Sequence, residues 1–169
     1  MFDWLVSYVS SLRPEAIQAF LTLAGITVAV ISVRSVKSTA QKKQTADYLL
    51  ELRTDIRMEK SIRLLRQLHG CENTNLLTLG RENKADNEDA QDLRYLLNHF
   101  ERLSVGIQEK IYNEKMIKKS QYSTIVRTYD RSNKFIEGVR ENAETAYQEF
   151  EWLSKKWKKK PLKKKRQLQ

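Results

Sequence analysis

The longest uncharged run in the chain lies near its N-terminus, from Ala16 to Val33. As an α-helix these residues would span about 27 Å, close to the bilayer hydrocarbon thickness of about 30 Å. Pro14 suits the first turn of such a helix, because its missing N–H would have no partner there. We therefore predict a transmembrane helix over residues 14–36, preceded by an interfacial segment over residues 1–13 that carries apolar side chains at helical spacing.

Two other interpretations of the apolar run stay open, a cleaved signal peptide and a buried core helix. A signal peptide usually begins with a basic region, whereas Asp3 and Glu15 precede this run. A core helix would need more surrounding protein than a chain of this size usually supplies. Residues 34–43 carry four basic residues and no acid. This flank predicts a single-pass protein of the inner membrane, with its N-terminus outside and its domain in the cytoplasm.

Small residues follow one face of the predicted span. Thr22, Gly25, Ala29 and Ser32 fall at i, i+3, i+7 and i+10, and Gly25 and Ala29 form a small-x-x-x-small pair. Such a face allows two helices to approach closely in lipid. We predict a helix–helix contact here, which would allow the chain to form a homo-oligomer.

Apolar positions keep a helical period beyond the membrane segment, and no strand pattern competes with it. The pattern predicts helices over residues 37–157, with a break near Asp55, a stop at His69-Gly70 and a loop over residues 71–86. A further helix begins with Asp86 as N-cap, and we expect it to be the most buried. Its stripe contains Ala90, Leu93, Leu97, Phe100, Ser104 and Ile107. We expect Gly106 to admit another backbone, and Phe100 and Trp157 to lie in the core. Ala143, Ala146 and Tyr147 are assigned to the last helix.

These patterns predict an all-α fold, in which an N-terminal transmembrane helix continues into a cytoplasmic helical bundle of about four or five helices. A polybasic tail over residues 158–169 follows the bundle.

The net charge of +10 is concentrated near the C-terminus. Nine cations and no acid follow Ser154, so residues 1–154 carry only +1; the cations are Lys155, Lys156, Lys158, Lys159, Lys160, Lys163, Lys164, Lys165 and Arg166. With Trp152 and Trp157 beside them, they are predicted to contact anionic membrane lipids. A disordered tail and a non-specific nucleic-acid contact are the alternatives.

Few residues suggest chemistry. Asn98, His99 and Glu101 are polar positions within an apolar helix, and we expect a structural network that ties helices together through Arg127. The acids Asp47, Glu51, Asp55 and Glu59 alternate with basic residues, as on a solvated salt-bridged face. We predict no catalytic, cofactor or metal site, because phosphate loops and nucleophile motifs are absent and Cys71 stands alone.

Several short motifs resemble a known family, namely Tyr48-Leu49-Leu50-Glu51-Leu52, Leu97-Asn98-His99-Phe100-Glu101, Val105-Gly106-Ile107, Ile125-Val126-Arg127 and Phe135-Ile136. The family is a bacterial group of short proteins with an N-terminal membrane segment, known only as a domain of unknown function. The resemblance covers roughly residues 40–157. Members usually have tryptophans where Ser120 and Tyr129 stand here, and often a proline in place of Lys134. The resemblance implies a membrane-anchored helical protein and no established activity.

We therefore expect a non-enzymatic, membrane-tethered helical module that binds a protein partner or oligomerises at the inner face of the membrane. The alternatives are a membrane-perturbing effector that assembles through its transmembrane helix, and a tethered nucleic-acid binder.

Overall fold

The computed structural model describes residues 13–71, 75–81 and 87–163. Throughout these ranges the regular structure is helical. The helices are α1 (Pro14–Thr54), α2 (Ile56–Gly70), α3 (Leu76–Arg81), α4 (Glu88–Gln108), α5 (Glu114–Arg140) and α6 (Gln148–Lys159). The predicted all-α fold with a helical bundle is confirmed. Of the predicted interfacial segment, only Arg13 lies within the described residues.

The chain divides into two compact units, Met1–Ala40 and Gln41–Gln169. Helix α1 begins in the first unit and ends in the second. The first unit contains the predicted transmembrane segment, and the second contains the core.

The part of α1 in the first unit exposes its apolar side chains. Phe20 is 71% exposed and Ile31 is 60% exposed, and the mean hydropathy of the most apolar window is 1.9, with none of that window buried. Pro14 is the first helical residue, as predicted. This helix is long and apolar enough to cross a membrane.

Side-chain N-caps mark where helices begin in the second unit. The Asp55 carboxylate accepts a hydrogen bond from the Met58 N–H at 2.8 Å, so the predicted break between α1 and α2 is confirmed. Helix α2 ends at Gly70, also as predicted. The N-cap of α4 is Asn87, one residue after the predicted Asp86, and its side chain accepts from the N–H groups of Asp89 and Ala90.

The core lies on the predicted stripe of α4, whose six members are all buried. Phe100 is completely buried and stacks on Phe150, with ring centroids 5.2 Å apart. Trp157 is also completely buried and stacks on Tyr122. Both core predictions are confirmed.

Three expectations about the elements are corrected. The predicted loop over residues 71–86 contains helix α3, with Leu76 and Leu79 buried. Helix α6 begins only at Gln148, after Tyr147 adopts a left-handed conformation with φ of 58°. Ala143 and Ala146 therefore precede the helix to which they were assigned.

The third correction concerns close approach at glycines. A Cβ on Gly106 would meet the ring of Tyr112 at 2.5 Å, so a side chain packs there instead of a backbone. Backbones do meet at Gly138, where a Cβ would lie 2.1 Å from the Leu77 carbonyl oxygen. The α3–α5 contact thus depends on glycine.

Candidate functional site

The four small residues of the predicted membrane face are exposed on α1. A Cβ on Gly25 would meet nothing within 4 Å among the described atoms. The Thr22 hydroxyl donates to the Gln18 carbonyl at 2.9 Å and the Thr27 hydroxyl to the Leu23 carbonyl at 2.8 Å. Both hydroxyls are thus used within the helix, while the predicted contact of this face with a second helix stays a prediction.

The four residues of the predicted polar network are not brought together. Asn98 and Arg127 are exposed, whereas His99 and Glu101 bond to different elements. The physical reason is that neighbouring residues on a helix point about 100° apart. The single network through Arg127 is therefore corrected to two separate contacts, made by His99 and Glu101.

His99 bonds to α1. Its Nε2 lies 2.6 Å from the Tyr48 hydroxyl, and the two rings are stacked. Tyr112 also packs against Tyr48, with ring centroids 5.1 Å apart. Burial lowers the pKa of His99, and nearby Arg102 lowers it further. Burial also raises the pKa of Tyr48. Both pKa shifts favour the neutral forms, so this hydrogen bond inside the bundle joins two uncharged groups.

Glu101 binds the first turn of α6. Its two carboxylate oxygens accept from the Glu149 N–H at 3.2 Å and the Phe150 N–H at 2.7 Å. These groups have no partner within the helix, and the positive end of the helix dipole favours an acid there. Burial raises the pKa of Glu101 despite these bonds. Glu101 is thus a capping residue supplied by α4, because Tyr147 offers no side-chain cap.

The regularly spaced acids of α1 and α2, from Asp47 to Glu59, do not form one solvated face. Besides capping α2, Asp55 accepts a hydrogen bond from the Tyr95 hydroxyl on α4 at 2.6 Å. Arg57 and Lys60 pair with Asp92 on α4 at 3.1 and 3.0 Å. These five residues, Asp55, Arg57, Lys60, Asp92 and Tyr95, form what we call the corner cluster, and only Glu59–Arg63 remains as the expected pair along one helix.

Both corner carboxylates are stabilised in the charged form. Burial alone would raise the pKa of Asp92, which is only 7% exposed, but the bonds from Lys60 and Arg57 outweigh it and lower the pKa. Burial alone would also raise the pKa of Asp55, but the hydrogen bonds from Tyr95 and Met58 outweigh it and lower the pKa. Asp92 was missed in the sequence. Its position one turn before the buried Leu96 was the available signal, since it places an acid at the edge of the apolar stripe.

A shallow cleft of about 210 Å³ opens beside the corner cluster. It is lined by Leu52, Arg53, Asp55, Met58, Glu59, Ile62, Phe100, Gln121 and Thr124. Small-molecule sites usually enclose about 300–1,000 Å³. The cleft therefore fits a side chain of a partner better than a whole ligand.

The C-terminal cations are partly engaged by the bundle. Lys155 pairs with Glu151, Lys156 with Glu114 at 2.8 Å, and Lys158 with Asp130. Lys159, Lys160 and Lys163 form no ion pair within the described ranges. Lys164, Lys165 and Arg166 lie outside those ranges. The predicted contact of the nine cations with anionic lipid stays a prediction. The expectation of an interfacial Trp157 is corrected, because that ring is buried and its Nε1 donates to Glu114 at 3.0 Å.

Comparison with protein families matches residues 19–157 to a family described as "Domain of unknown function (DUF4760)". The match confirms the resemblance drawn from the short motifs and extends it N-terminally into the apolar run. A search of curated proteins and a search of solved structures each gave no match.

Proposed function

The chain belongs to the DUF4760 family of unknown function, and on that premise we propose that it is a membrane-tethered, non-enzymatic binding module at the inner face of the membrane. The observation that carries the proposal is the exposed apolar part of α1. None of its most apolar window is buried, although the same helix continues into the core of the second unit. A soluble protein rarely leaves a contiguous apolar surface of this kind in water.

Flanking charge supports the orientation of the tether. The four basic residues between Arg34 and Lys43 favour the cytoplasmic side for the second unit, since basic flanks are retained there.

Intrahelical hydrogen bonds favour an anchor over a membrane-perturbing assembly. A pore would need polar groups presented to water, whereas the hydroxyls of Thr22 and Thr27 bond to carbonyls of their own helix. This arrangement lowers the cost of placing both residues in lipid.

The polar groups of the second unit support binding over catalysis. His99, Glu101, Asp55 and Asp92 all bond to groups within the bundle. The cleft beside the corner cluster, lined by both apolar and charged side chains, supports contact with a protein partner.

Membrane extraction tests the tether directly. Native membranes that contain the full chain are treated with alkaline carbonate, and the chain should stay in the pellet. Ile26→Lys places a charge near the middle of the apolar run and costs about 2.5 to 3.5 kcal/mol of insertion free energy, so it should increase release. Thr39→Lys, beyond the run, is the matched control and should behave as the unaltered chain does.

A reporter that is active only outside the inner membrane, fused after Gln169, tests orientation and should stay inactive. Complete carbonate release of the unaltered chain would contradict the tether. An active reporter would contradict the orientation alone.

A further inference from the structure

Contacts with Gln41 fasten the α4–α5 loop to the start of the second unit. Gln41 is the first residue of that unit, and its side-chain amide donates to the backbone oxygens of Lys110 and Tyr112 at 2.9 and 3.1 Å. One turn later, the Thr45 hydroxyl oxygen accepts from the Asn113 N–H at 2.7 Å. The loop therefore lies where the chain enters the bundle.

The C-terminus of α6 lies at the same end. Glu114, in the first turn of α5, accepts hydrogen bonds from Trp157 and Lys156. One turn later, the Lys118 amino group donates to the Lys160 carbonyl. We call this end of the bundle the entry face, and it comprises residues 41–43, 108–119 and 156–163.

The entry face is strongly basic. It contains eleven lysines and two glutamates, of which Glu114 is already paired. Two further acids contact it from outside these ranges, because Glu149 accepts from Gln108 and Asp130 pairs with Lys158. Lys156 and Lys158 have carboxylate partners, and the other nine lysines form no ion pair in the described part of the chain. Those nine are Lys42, Lys43, Lys110, Lys115, Lys118, Lys119, Lys159, Lys160 and Lys163. The fold thus gathers cations from three separate stretches of sequence.

Aliphatic side chains are exposed among these cations. Ile111 is 46% exposed and Leu162 is 44% exposed. Lys110 has a φ of 57°, a left-handed conformation that is uncommon for a lysine, and the next two N–H groups both bond to the Gly106 carbonyl. These bonds fix the backbone of the loop, on which Ile111 is exposed next to Lys110.

We infer that the entry face docks on anionic lipid headgroups, with its lysines on the phosphates and Ile111 at the boundary of the acyl chains. Cations around an exposed apolar side chain suit that boundary, where each part meets its preferred medium. The inference rests on the proposed tether, because the apolar run ends at Val33 and the entry face begins at Gln41. The tether keeps headgroups at high local concentration, whereas nucleic acid, which also offers phosphates, would have to come from solution.

A fluorescent probe at position 111 tests the inference in the full chain. Cys71→Ser removes the lone cysteine, and Ile111→Cys is then labelled with an environment-sensitive fluorophore. The chain is reconstituted into phosphatidylcholine vesicles with or without phosphatidylglycerol. Emission should shift to shorter wavelength, and acyl-chain nitroxides should quench it, only with phosphatidylglycerol. About 1 M salt should reverse both effects, because the Debye length falls to about 3 Å.

A control label at a second exposed position and a control set of charge substitutions make the test specific. Ile56, on α2, is 82% exposed and labelled as Ile56→Cys should show no shift. Replacing Lys115, Lys119 and Lys159 by Gln should reduce the docking equilibrium on the order of a hundredfold. Replacing Arg66, Arg127 and Lys134 by Gln removes the same charge elsewhere on the bundle and should leave docking unchanged. Circular dichroism checks that both triple variants stay helical.

Flotation separates this inference from the tether. A chain that floats with both kinds of vesicle in high salt, yet shows no phosphatidylglycerol-dependent shift, would overturn the docking and leave the tether standing. Equal losses in the two triple variants would also overturn it, since net charge alone would then explain binding. If the detergent-solubilised chain retards single-stranded RNA, and only the first triple variant abolishes this while the probe ignores lipid, the face binds nucleic acid instead.

Discussion

Phe100 and Trp157 anchor two aromatic contacts of the core. We expect Phe100→Ala and Trp157→Ala each to cost about 3 to 5 kcal/mol of unfolding free energy, because both side chains are completely buried. Chemical unfolding of the second unit measures this. Trp152→Ala is the control, since that side chain is 38% exposed and the Lys156 amino group lies 4.7 Å from its ring centroid. We expect it to cost less than about 1 kcal/mol, and equal costs for the two tryptophans would contradict the assigned faces of α6.

His99 should make the stability of the bundle depend on pH. Its pKa in the fold is lowered from 6.5 by burial, so below about pH 6.5 the unfolded chain binds the proton more readily than the bundle does. The contribution of His99 to the unfolding free energy is therefore complete above that pH and is lost as the pH falls. Glu101 has the opposite effect on stability. Its pKa is raised in the fold, so protonation of this group favours the bundle as the pH falls.

Comparison with His99→Gln isolates the contribution of the histidine. Unfolding free energies measured between about pH 5 and 7.5 should fall more steeply on acidification in the unaltered chain than in the variant. Tyr48→Phe keeps the ring stack and removes the hydroxyl, so it reports the cost of the hydrogen bond. Parallel pH profiles for the unaltered chain and His99→Gln would show that His99 titrates alike in the folded and unfolded states.

At the scale of elements, α3 and α5 can approach closely because both carry glycine at the contact. Gly138→Ala should destabilise the bundle by about 1 to 3 kcal/mol or more, since the new Cβ would lie 2.1 Å from the Leu77 carbonyl oxygen and the backbones must separate. Gly70→Ala is the matched control, because a Cβ there meets nothing within 4 Å. Thermal melting compares the two variants, and similar midpoints would contradict the close packing of α3.

Periodicity predicted the long elements and missed the short one. Helix α4 was predictable because its apolar stripe repeats over several turns, and the residues of that stripe are the buried ones. Helix α3 has six residues, too few for a period to show, and it is held by packing on α5. The hydrogen-bond partners of His99 and Glu101 could not be predicted from the sequence either. Residue spacing within one helix does not indicate which other helix packs against a given side chain.

At the scale of the whole molecule, the sequence predicted the amount of charge better than its arrangement. Nine C-terminal cations could be counted, but the pairing of Lys156 with Glu114 links residues far apart in the chain. The entry face was hidden for the same reason, since its lysines come from α1, the α4–α5 loop, α5, α6 and the residues after α6. Only the fold shows which cations share a surface.

The division into two units predicts which fragments fold. All core residues from Tyr48 to Trp157 follow Gln41, so we expect residues 41–169 to fold without the apolar run and to melt cooperatively. A fragment that begins at Asp55 would lack Gln41, Thr45 and Tyr48. It should lose the fastening of the α4–α5 loop and leave the imidazole of His99 without its partner.

We therefore expect the shorter fragment to have a markedly lower melting midpoint and a reduced helical signal, as followed by circular dichroism. A fragment that begins at Lys43 is the informative intermediate, because it keeps Thr45 and Tyr48 and loses only the hydrogen bonds of Gln41. Its midpoint should lie near that of residues 41–169, since neither bond is fully buried and a neutral hydrogen bond contributes only about 0.5 to 1.5 kcal/mol. If residues 55–169 melted like residues 41–169, the end of α1 would be an appendage and not the first helix of the bundle.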